Sequence, residues 1–404
     1  MSSAPSVDLN PFTEQTAGKY FVGREEQLLS FKRTLTGLKL GQPRHLFVAG
    51  THGTGKTSYL YKLVELSRAE DFLAALPTLD PAATGRQHIA TVVQSLISTL
   101  DACLSVDPLQ QSRTLTRDWE KGGESTKFRL ARTERLLNDD LRADLETIQR
   151  LASEAGRKRI VVCIDEGQRI DAFALSALKN ALQHLDSYLV VLSLRLIDDA
   201  NGIVAGGRAI LDTKANEAEG DLGASRFFLA GVPLGPFETD QESRSCLMKR
   251  LEGNAVRFDD DVMSLAGRVT ARHPAKLIAL ASNLYDLAAV TPTRTADMGA
   301  FRKSFIDHYR TEYCEAVQLA GSLPETSRSV IMALLDFDRA VRPTELALHL
   351  APKIDGSALE IVTAGVESEL HQLEGSSFLS AAEDGYRLSD PVRRFALGAV
   401  LGKS

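Results

Sequence analysis

Continuous apolar runs, separated by stretches with helical spacing, dominate the first 235 residues. The runs are His45–Ala49, Ile160–Ile164 and Tyr188–Leu194. Strands that are buried on both faces of a parallel sheet show such uninterrupted runs, because helices cover both sides. Apolar residues at helical spacing predict helices around these runs, at 25–38, 57–67, 85–104, 116–155 and 173–184. The pattern is typical of an α/β domain with a parallel sheet.

The pattern changes after the third run. Residues 196–224 are rich in Gly, Ala and Asp, which predicts an irregular insertion before a last strand at 226–232. The stretch Pro233-Leu234-Gly235-Pro236 then ends the α/β pattern. We therefore expect a domain boundary near Pro236, with a helical region from there to about residue 319.

The last eighty residues have a third pattern. Helices are predicted at 325–337, 343–350 and 357–373, followed by two short strands around Phe378 and Tyr386. Three helices and a hairpin in this order are typical of a winged helix, a variant of helix-turn-helix. The expected organisation is a flexible N-terminal tail (1–19), an α/β core (20–235), an α-helical region (236–322) and a winged-helix domain (323–404).

A glycine-rich stretch lies between the first predicted strand and the helix that follows it. Residues 50–57 fit the pattern G-x-x-x-x-G-K-[ST]. Glycines permit backbone torsions that direct N–H groups at phosphate oxygens, and the start of the helix adds its dipole. Lys56 is expected to reach the β- and γ-phosphates, and the Thr57 hydroxyl to ligate Mg²⁺. The predicted nucleotide-binding residues here are Gly50, Gly53, Thr54, Gly55, Lys56 and Thr57.

Two carboxylates end the second apolar run. Asp165 is expected to hold the magnesium ion together with Thr57, and Glu166 to orient and deprotonate an attacking water. Acidic residues also occur in ordinary turns after strands. The pairing of these two carboxylates with the phosphate loop favours ATP hydrolysis, with Lys56 and Glu166 as catalytic residues.

The segment Phe21-Val22-Gly23-Arg24-Glu25, the phosphate loop and the Asp-Glu strand follow one another in this order. In this the chain resembles AAA+ ATPases, in the branch that holds origin-recognition initiators and STAND ATPases. The resemblance covers roughly residues 20–290. It implies an AAA+ core with a helical lid, ATP and Mg²⁺ as cofactors, and a base pocket that contains Phe21, Val22 and Gly23.

The resemblance also implies roles at less specific positions. Ser193 occupies the place of a polar sensor of the γ-phosphate, and Arg226 that of an arginine finger, with Arg208 as a competing candidate. His273 and Pro274 occupy the place of the second sensor, and in STAND proteins a proline there lies near the base. Arg272 or Lys276 could contact phosphate, or the segment could be only the ordinary start of a helix. The sequence leaves both interpretations open.

Composition and charge limit the kinds of partner that the chain can bind. The 404 residues are 44% hydrophobic with a net charge of −6, which excludes a disordered chain and a broadly basic nucleic-acid binder. No apolar run approaches the roughly 18 residues that a membrane span requires, so we expect no membrane insertion. The four cysteines show no metal-ligand spacing, which favours reduced thiols and a cytoplasmic protein.

The acidic C-terminal region disfavours DNA reading by its third helix. Residues 323–404 carry 8 Lys and Arg against 12 Asp and Glu, and the stretch 357–374 contains four Glu and no Lys or Arg. Carboxylates that face phosphates repel them, and the release of counterions that drives DNA affinity is lost. We therefore expect this helix not to bind DNA, and expect self-association or a protein partner through the lid or the winged helix.

The sequence as a whole predicts a Mg-ATP-hydrolysing, nucleotide-controlled assembly or signalling switch. One alternative is an initiator or loader that binds duplex DNA in its ATP state, through another part of the chain. A second alternative is a scaffold that holds nucleotide and hydrolyses it slowly. Salt-dependent DNA affinity would favour the initiator or loader. A tightly held ADP would favour the scaffold.

Overall fold

A computed structural model describes most of the chain. The described residues are 9–12, 18–83, 85–103, 134–197, 203–217, 227–337, 339–352, 356–374, 376–382, 385–388 and 390–402. The chain divides into two compact units. The first comprises residues 14–236, and the second comprises residues 1–13 together with 237–404.

A five-stranded sheet with the order β2-β3-β4-β1-β5 forms the centre of the first unit, and all its pairings are parallel. Its strands are β1 (Leu46–Gly50), β2 (Leu73–Ala75), β3 (Ile160–Ile164), β4 (Tyr188–Arg195) and β5 (Ala230–Pro233). The parallel α/β sheet predicted from the apolar runs is thereby confirmed. The position of the short strand β2 was not predicted, since three residues are too few to show a pattern.

Helices cover both faces of this sheet. They are α1 (Glu25–Lys39), α2 (Lys56–Ala69), α3 (Gly85–Cys103), α4 (Glu134–Glu154), α5 (Ala172–Leu182) and α6 (Ile203–Glu217). Successive side chains of a strand point to opposite faces. In β1, Leu46 and Val48 pack with α1 and α2, whereas Phe47 and Ala49 pack with α3 to α6. The two faces thus have separate apolar cores, which explains why the strand has no polar position.

The expectation of an irregular insertion at 196–224 is wrong over α6. Gly207 of this helix lies so close to β1 that an added Cβ would sit 2.7 Å from the Phe47 ring and 2.8 Å from Ala49 Cβ. Small residues are needed for this approach, and they are the residues that made the segment resemble a loop. The last strand also begins at Ala230 rather than at 226. Of the predicted helix 116–155, residues 116–133, which include Trp119, lie outside the described residues.

The second unit is mainly helical. It contains α7 (Asp240–Leu251), α8 (Asp260–Val269), α9 (Pro274–Ala289), α10 (Met298–His308), α11 (Arg310–Ser322), α12 (Glu325–Leu334), α13 (Pro343–Leu350), α14 (Gly356–Glu374) and α15 (Pro391–Leu401). Two-residue strands, β6 (Arg257–Phe258) and β7 (Thr295–Ala296), pair in parallel. Over the described part of the chain, no helix combines the length and the apolar character needed to cross a membrane.

A hairpin follows the helices α12 to α14. Its strands are β8 (Leu379–Ala382) and β9 (Gly385–Leu388), which pair antiparallel. Val341, which precedes α13, forms an additional antiparallel bridge with Tyr386 of β9. The predicted order of three helices and a hairpin is therefore present, and α15 after it was not predicted.

Residues 9–12 depart from the expected flexible tail. Phe12 is only 3% exposed and stacks on Phe258 of the second unit, with ring centres 5.7 Å apart. An aromatic side chain of this size contributes strongly to a core when it is buried. These four residues are therefore an integral part of the second unit.

Candidate nucleotide-binding site

The carboxyl ends of β1, β3 and β4 lie at one edge of the sheet, because the three strands are parallel and adjacent. Binding sites of open α/β sheets occur at this edge. Residues 51–55 follow β1, Asp165 and Glu166 follow β3, and Arg195 ends β4. The predicted phosphate loop and the predicted acidic pair are thus brought together.

The backbone of the phosphate loop requires glycine at two positions. Gly55, directly before α2, has a φ of 90°, in the left-handed region that favours glycine. At Gly50, an added Cβ would lie 2.3 Å from the carbonyl oxygen of Leu234 and 2.7 Å from Thr54 Oγ1. The loop therefore packs closely against the segment that follows β5.

Lys56 is the first residue of α2 and is almost buried, at 9% exposure. Its ammonium donates to the carbonyl oxygens of Gly50 at 2.9 Å and Thr51 at 2.7 Å. Burial lowers the pKa of Lys56 from its ordinary value; the carboxylates of Asp165 and Glu166 act in the opposite direction, and the charge of Arg195 lowers it further. A desolvated ammonium held by its own loop is well suited to exchange those carbonyls for the stronger acceptor oxygens of a phosphate.

Thr57 and Asp165 are in direct contact. Thr57 Oγ1 donates to Asp165 Oδ2 at 2.7 Å, and Asp165 Oδ1 accepts the backbone N–H of Glu166 at 2.9 Å. Asp165 is 4% exposed. A hydroxyl and a carboxylate at this separation are the protein donors that Mg²⁺ takes in phosphoryl-transfer sites, where phosphate oxygens and water complete its shell.

The donor set therefore fits magnesium bound together with a phosphate. Among the described residues, no group of three or more His, Cys, Asp and Glu side chains could hold a metal ion. A metal site made of protein ligands alone is thus not found in this part of the chain.

Glu166 is held by two neighbours in the same turn. It has a φ of 55°, its Oε2 accepts from Gln168 Nε2 at 2.6 Å, and Arg169 approaches the same oxygen to 3.2 Å. Arg169 itself donates to the carbonyl oxygen of Leu79 at 2.8 Å. The side chain of Glu166 remains 29% exposed, so water can reach it.

Arg195 and Gln168 are site residues that were not predicted. In the register of the sheet Arg195 lies beside Gly50, and its backbone N–H donates to Gln168 Oε1 at 3.0 Å. Its charge is close enough to lower the pKa of Lys56. The available signal was a cation at the end of an apolar strand, but which strand borders the phosphate loop is decided by the tertiary fold.

Ser193 lies two residues before Arg195, beside Val48 in the register of the sheet. It is 1% exposed, and its Oγ has no hydrogen-bond partner among the described residues. A buried hydroxyl without a partner carries a desolvation penalty. Ser193 is therefore a buried polar side chain whose hydrogen-bonding capacity is unused in this structure.

Residues 21–24 pack against the loop and α2. The Phe21 ring lies 6.3 Å from that of Tyr59, and Val22 is partly exposed. Gly23 and Arg24 both have positive φ values, of 70° and 67°. Arg24 is 5% exposed and donates to the carbonyl oxygens of Thr54, Gly235 and Pro236.

Arg208, Arg226, His273 and Pro274 complete the set of predicted site residues. Arg226 lies outside the described residues. Arg208 donates to the carbonyl oxygen of Phe228 at 2.6 Å and lies over the Phe47 ring, which is a structural role within the sheet's core. His273 and Pro274 belong to the second unit, where His273 precedes α9 and Pro274 begins it.

Residues 272 and 276 also lie in the second unit. Arg272 donates to the carbonyl oxygen of Glu238 at 2.8 Å, and Lys276 is exposed. The contact of Arg272 gives that side chain a structural role at the start of α9.

Comparison with known proteins gives one family. Residues 20–194 match the family model of the AAA ATPase domain, which is a little less than half of the chain. The matched segment contains the phosphate loop and the two carboxylates after β3. No curated protein matches the sequence.

Solved structures with similar folds include three that align over most of the chain. A Walker-type ATPase of Pyrococcus abyssi is 17% identical, covers 96% of this chain and 99% of its own, and has a TM-score of 0.46. The ORC1 protein of Aeropyrum pernix in complex with DNA is 15% identical, with coverages of 98% and 96% and a TM-score of 0.44. RuvB of Thermotoga maritima, a Holliday junction branch migration motor, is 14% identical, with coverages of 91% and 92% and a TM-score of 0.44.

Proposed function

We propose that this chain is an ATP-binding and ATP-hydrolysing switch, built on the AAA ATPase domain that residues 20–194 match. The observation that carries the proposal is the 2.7 Å contact between Thr57 Oγ1 and Asp165 Oδ2, with Asp165 close enough to Lys56 to affect the pKa of its ammonium. These groups are 108 residues apart in sequence. Their meeting at the carboxyl edge of a parallel sheet serves phosphate and magnesium binding well.

Each residue has a definite task in this proposal. Loop N–H groups and the start of α2 bind phosphate oxygens, and Lys56 gives up its two loop carbonyls to bind the β- and γ-phosphates. Thr57 and Asp165 hold Mg²⁺, which neutralises charge on the phosphates. Glu166 accepts a proton from the attacking water. In this structure its Oε2 is held by Gln168 and Arg169.

Further residues are assigned to sensing. Ser193, with its buried and unpartnered hydroxyl, is proposed to sense the γ-phosphate. The charge of Arg195 beside Lys56 supports a second contact to phosphate from the same strand. Phe21, Val22 and Gly23 are proposed to border the base, His273 and Pro274 to act as the second sensor, and Arg226 to be the arginine finger.

The second unit is proposed to transmit the nucleotide state, with α7 to α11 as the lid and residues 323–404 as a winged helix. The order α12, α13, α14, β8, β9 and the bridge from Val341 to Tyr386 support the winged-helix assignment. Helix α14 exposes Glu360, Glu367 and Glu374 and has no Lys or Arg. This acidic face supports contact with a second copy or a protein partner rather than with duplex DNA.

The proposal is tested by equilibrium binding of a fluorescent ATP analogue and by steady-state phosphate release. Lys56→Ala is expected to lose binding, whereas Glu166→Gln is expected to bind ATP and lose turnover by about 10²-fold or more. Lys62→Ala is the matched control, because Lys62 lies on the same helix and pairs only with a surface neighbour, Glu65, at 2.8 Å. Unchanged binding in Lys56→Ala, or wild-type turnover in Glu166→Gln, would contradict the proposal.

A further inference from the structure

Residues 9–12 dock into the second unit through a specific set of contacts. The Asn10 amide nitrogen lies 3.1 Å from the carbonyl oxygen of Ser282, 3.0 Å from Ser282 Oγ and 2.9 Å from Asp286 Oδ1. The amide oxygen of Asn10 accepts the backbone N–H of Phe12 at 3.0 Å. This last bond closes an Asx-type turn, which holds the three residues 10–12 in a compact shape.

The other two residues of the turn, Pro11 and Phe12, contact an arginine and two aromatic rings. Arg250 donates to the carbonyl oxygen of Pro11 at 2.7 Å, and its guanidinium lies 5.9 Å from the centre of the Phe12 ring. That ring stacks on Phe258 and meets Tyr285 edge-on at 6.2 Å. Arg250 is 8% exposed, so the site is built around a buried charge.

These five residues, Arg250, Phe258, Ser282, Tyr285 and Asp286, are called the turn socket below. They come from α7, β6 and α9. The socket discriminates chemically. Asp286 accepts from the side-chain amide of Asn10, so a carboxylate at that position would face a carboxylate. The buried rings require an aromatic residue two positions later. Arg250 binds the backbone carbonyl between them, which any residue supplies, so this contact fixes the position of the turn rather than the side chain.

We propose that the turn socket is a peptide-binding site for an Asn-Pro-aromatic turn, and that residues 9–12 are its exchangeable resident ligand. The docked turn is four residues long and belongs to no helix or strand, so it can leave the socket without breaking a helix or strand of the second unit. In sequence, the 14–236 unit separates residues 1–13 from the rest of the second unit. The docking is therefore a long-range closure of the chain, rather than the continuation of a helix or strand.

The test uses a synthetic peptide with the sequence of residues 7–14, carrying a fluorophore, and fluorescence anisotropy with the full chain. The variant Asn10→Ala/Phe12→Ala disables the resident turn and is expected to bind the peptide at least about tenfold more tightly than wild type, because a tethered ligand competes at a millimolar effective concentration. Adding Asp286→Ala, at an exposed position, is expected to weaken peptide binding again. A peptide with Asn10→Asp is the matched control and is expected not to bind.

A second measurement covers the case in which the double variant does not fold. A protease site replaces residues 14–17 in the otherwise native chain, which is folded before cleavage. The labelled peptide is then expected to displace the released N-terminal fragment, and the Asn10→Asp peptide is not. The proposal is overturned if the labelled peptide fails to bind the cleaved protein, or if both peptides bind equally well. Neither result depends on ATP binding, so it is independent of the proposed ATPase activity.

Discussion

His45 makes the free energy of unfolding dependent on pH. It directly precedes β1, and its Nδ1 accepts the backbone N–H of Val190 in β4 at 3.0 Å. Its ring stacks on Phe227 with centres 3.8 Å apart, and its carbonyl oxygen accepts the N–H of Leu229. An imidazole that accepts at Nδ1 must be neutral, with its proton on Nε2. Burial lowers the pKa of His45 from 6.5 to about 4.

The sign follows from proton uptake in the two states. Between pH 6.5 and 4 the unfolded chain binds a proton at His45 that the folded chain does not. The contribution of neutral His45 to the free energy of unfolding is therefore complete above pH 6.5 and is lost as the pH falls towards 4. A change of one pKa unit corresponds to about 1.4 kcal/mol. At pH 5 the loss relative to pH 8 is therefore about 2 kcal/mol, most of the roughly 3.4 kcal/mol that the full shift allows.

The variant His45→Asn isolates this effect, because its side-chain oxygen can accept from Val190 but does not titrate. Urea unfolding of both proteins is followed by circular dichroism at pH 8 and pH 5, and the two pH-dependent losses are subtracted. Titrations elsewhere in the chain cancel in this difference. We expect the wild type to lose about 2 kcal/mol more than the variant. Equal losses, or a His45 resonance that titrates near pH 6.5 in the folded protein, would refute the assignment.

Three further predictions concern ATP turnover and DNA affinity. Arg169→Ala is expected to raise basal ATP turnover by up to about fivefold, since it removes one of the two partners of Glu166 Oε2, a partly exposed ion pair worth at most about 1 kcal/mol. A fall in turnover would show that Arg169 instead holds that carboxylate in its active position. Turnover per protomer is expected to rise steeply with protein concentration, and Arg226→Ala to flatten this rise, because an arginine finger supplied by a neighbour completes the site; flat wild-type turnover would favour independent protomers. Glu360→Lys/Glu367→Lys is expected to leave the salt dependence of any DNA affinity unchanged, and a change of about two in the slope of the logarithmic plot would place α14 at the phosphate backbone.

Local sequence patterns were sufficient to predict the phosphate loop, the acidic pair and the parallel sheet. The phosphate loop and the Asp165-Glu166 pair are contiguous segments whose function depends on their own backbone and on the strand before them, so one sequence suffices to predict them. The parallel sheet was predictable for a similar reason, because strands covered on both faces have no polar position. The order of strands was not predictable, since it depends on contacts between segments that are far apart in sequence, such as Leu46 of β1 and Ala230 of β5.

Only the tertiary structure decided which side chains meet. Arg195 is near Lys56 because β4 pairs with β1, and no pattern within either segment encodes that pairing. Helix α6 was missed because the small residues that let it approach Phe47 are also typical of loops. Residues 9–12 were read as a tail because four residues carry no periodicity, and their place in the second unit is set by complementary groups on α7, β6 and α9. Periodicity and motifs are properties of neighbours in sequence, whereas the turn socket and the surroundings of Lys56 are made by residues that are neighbours only in space.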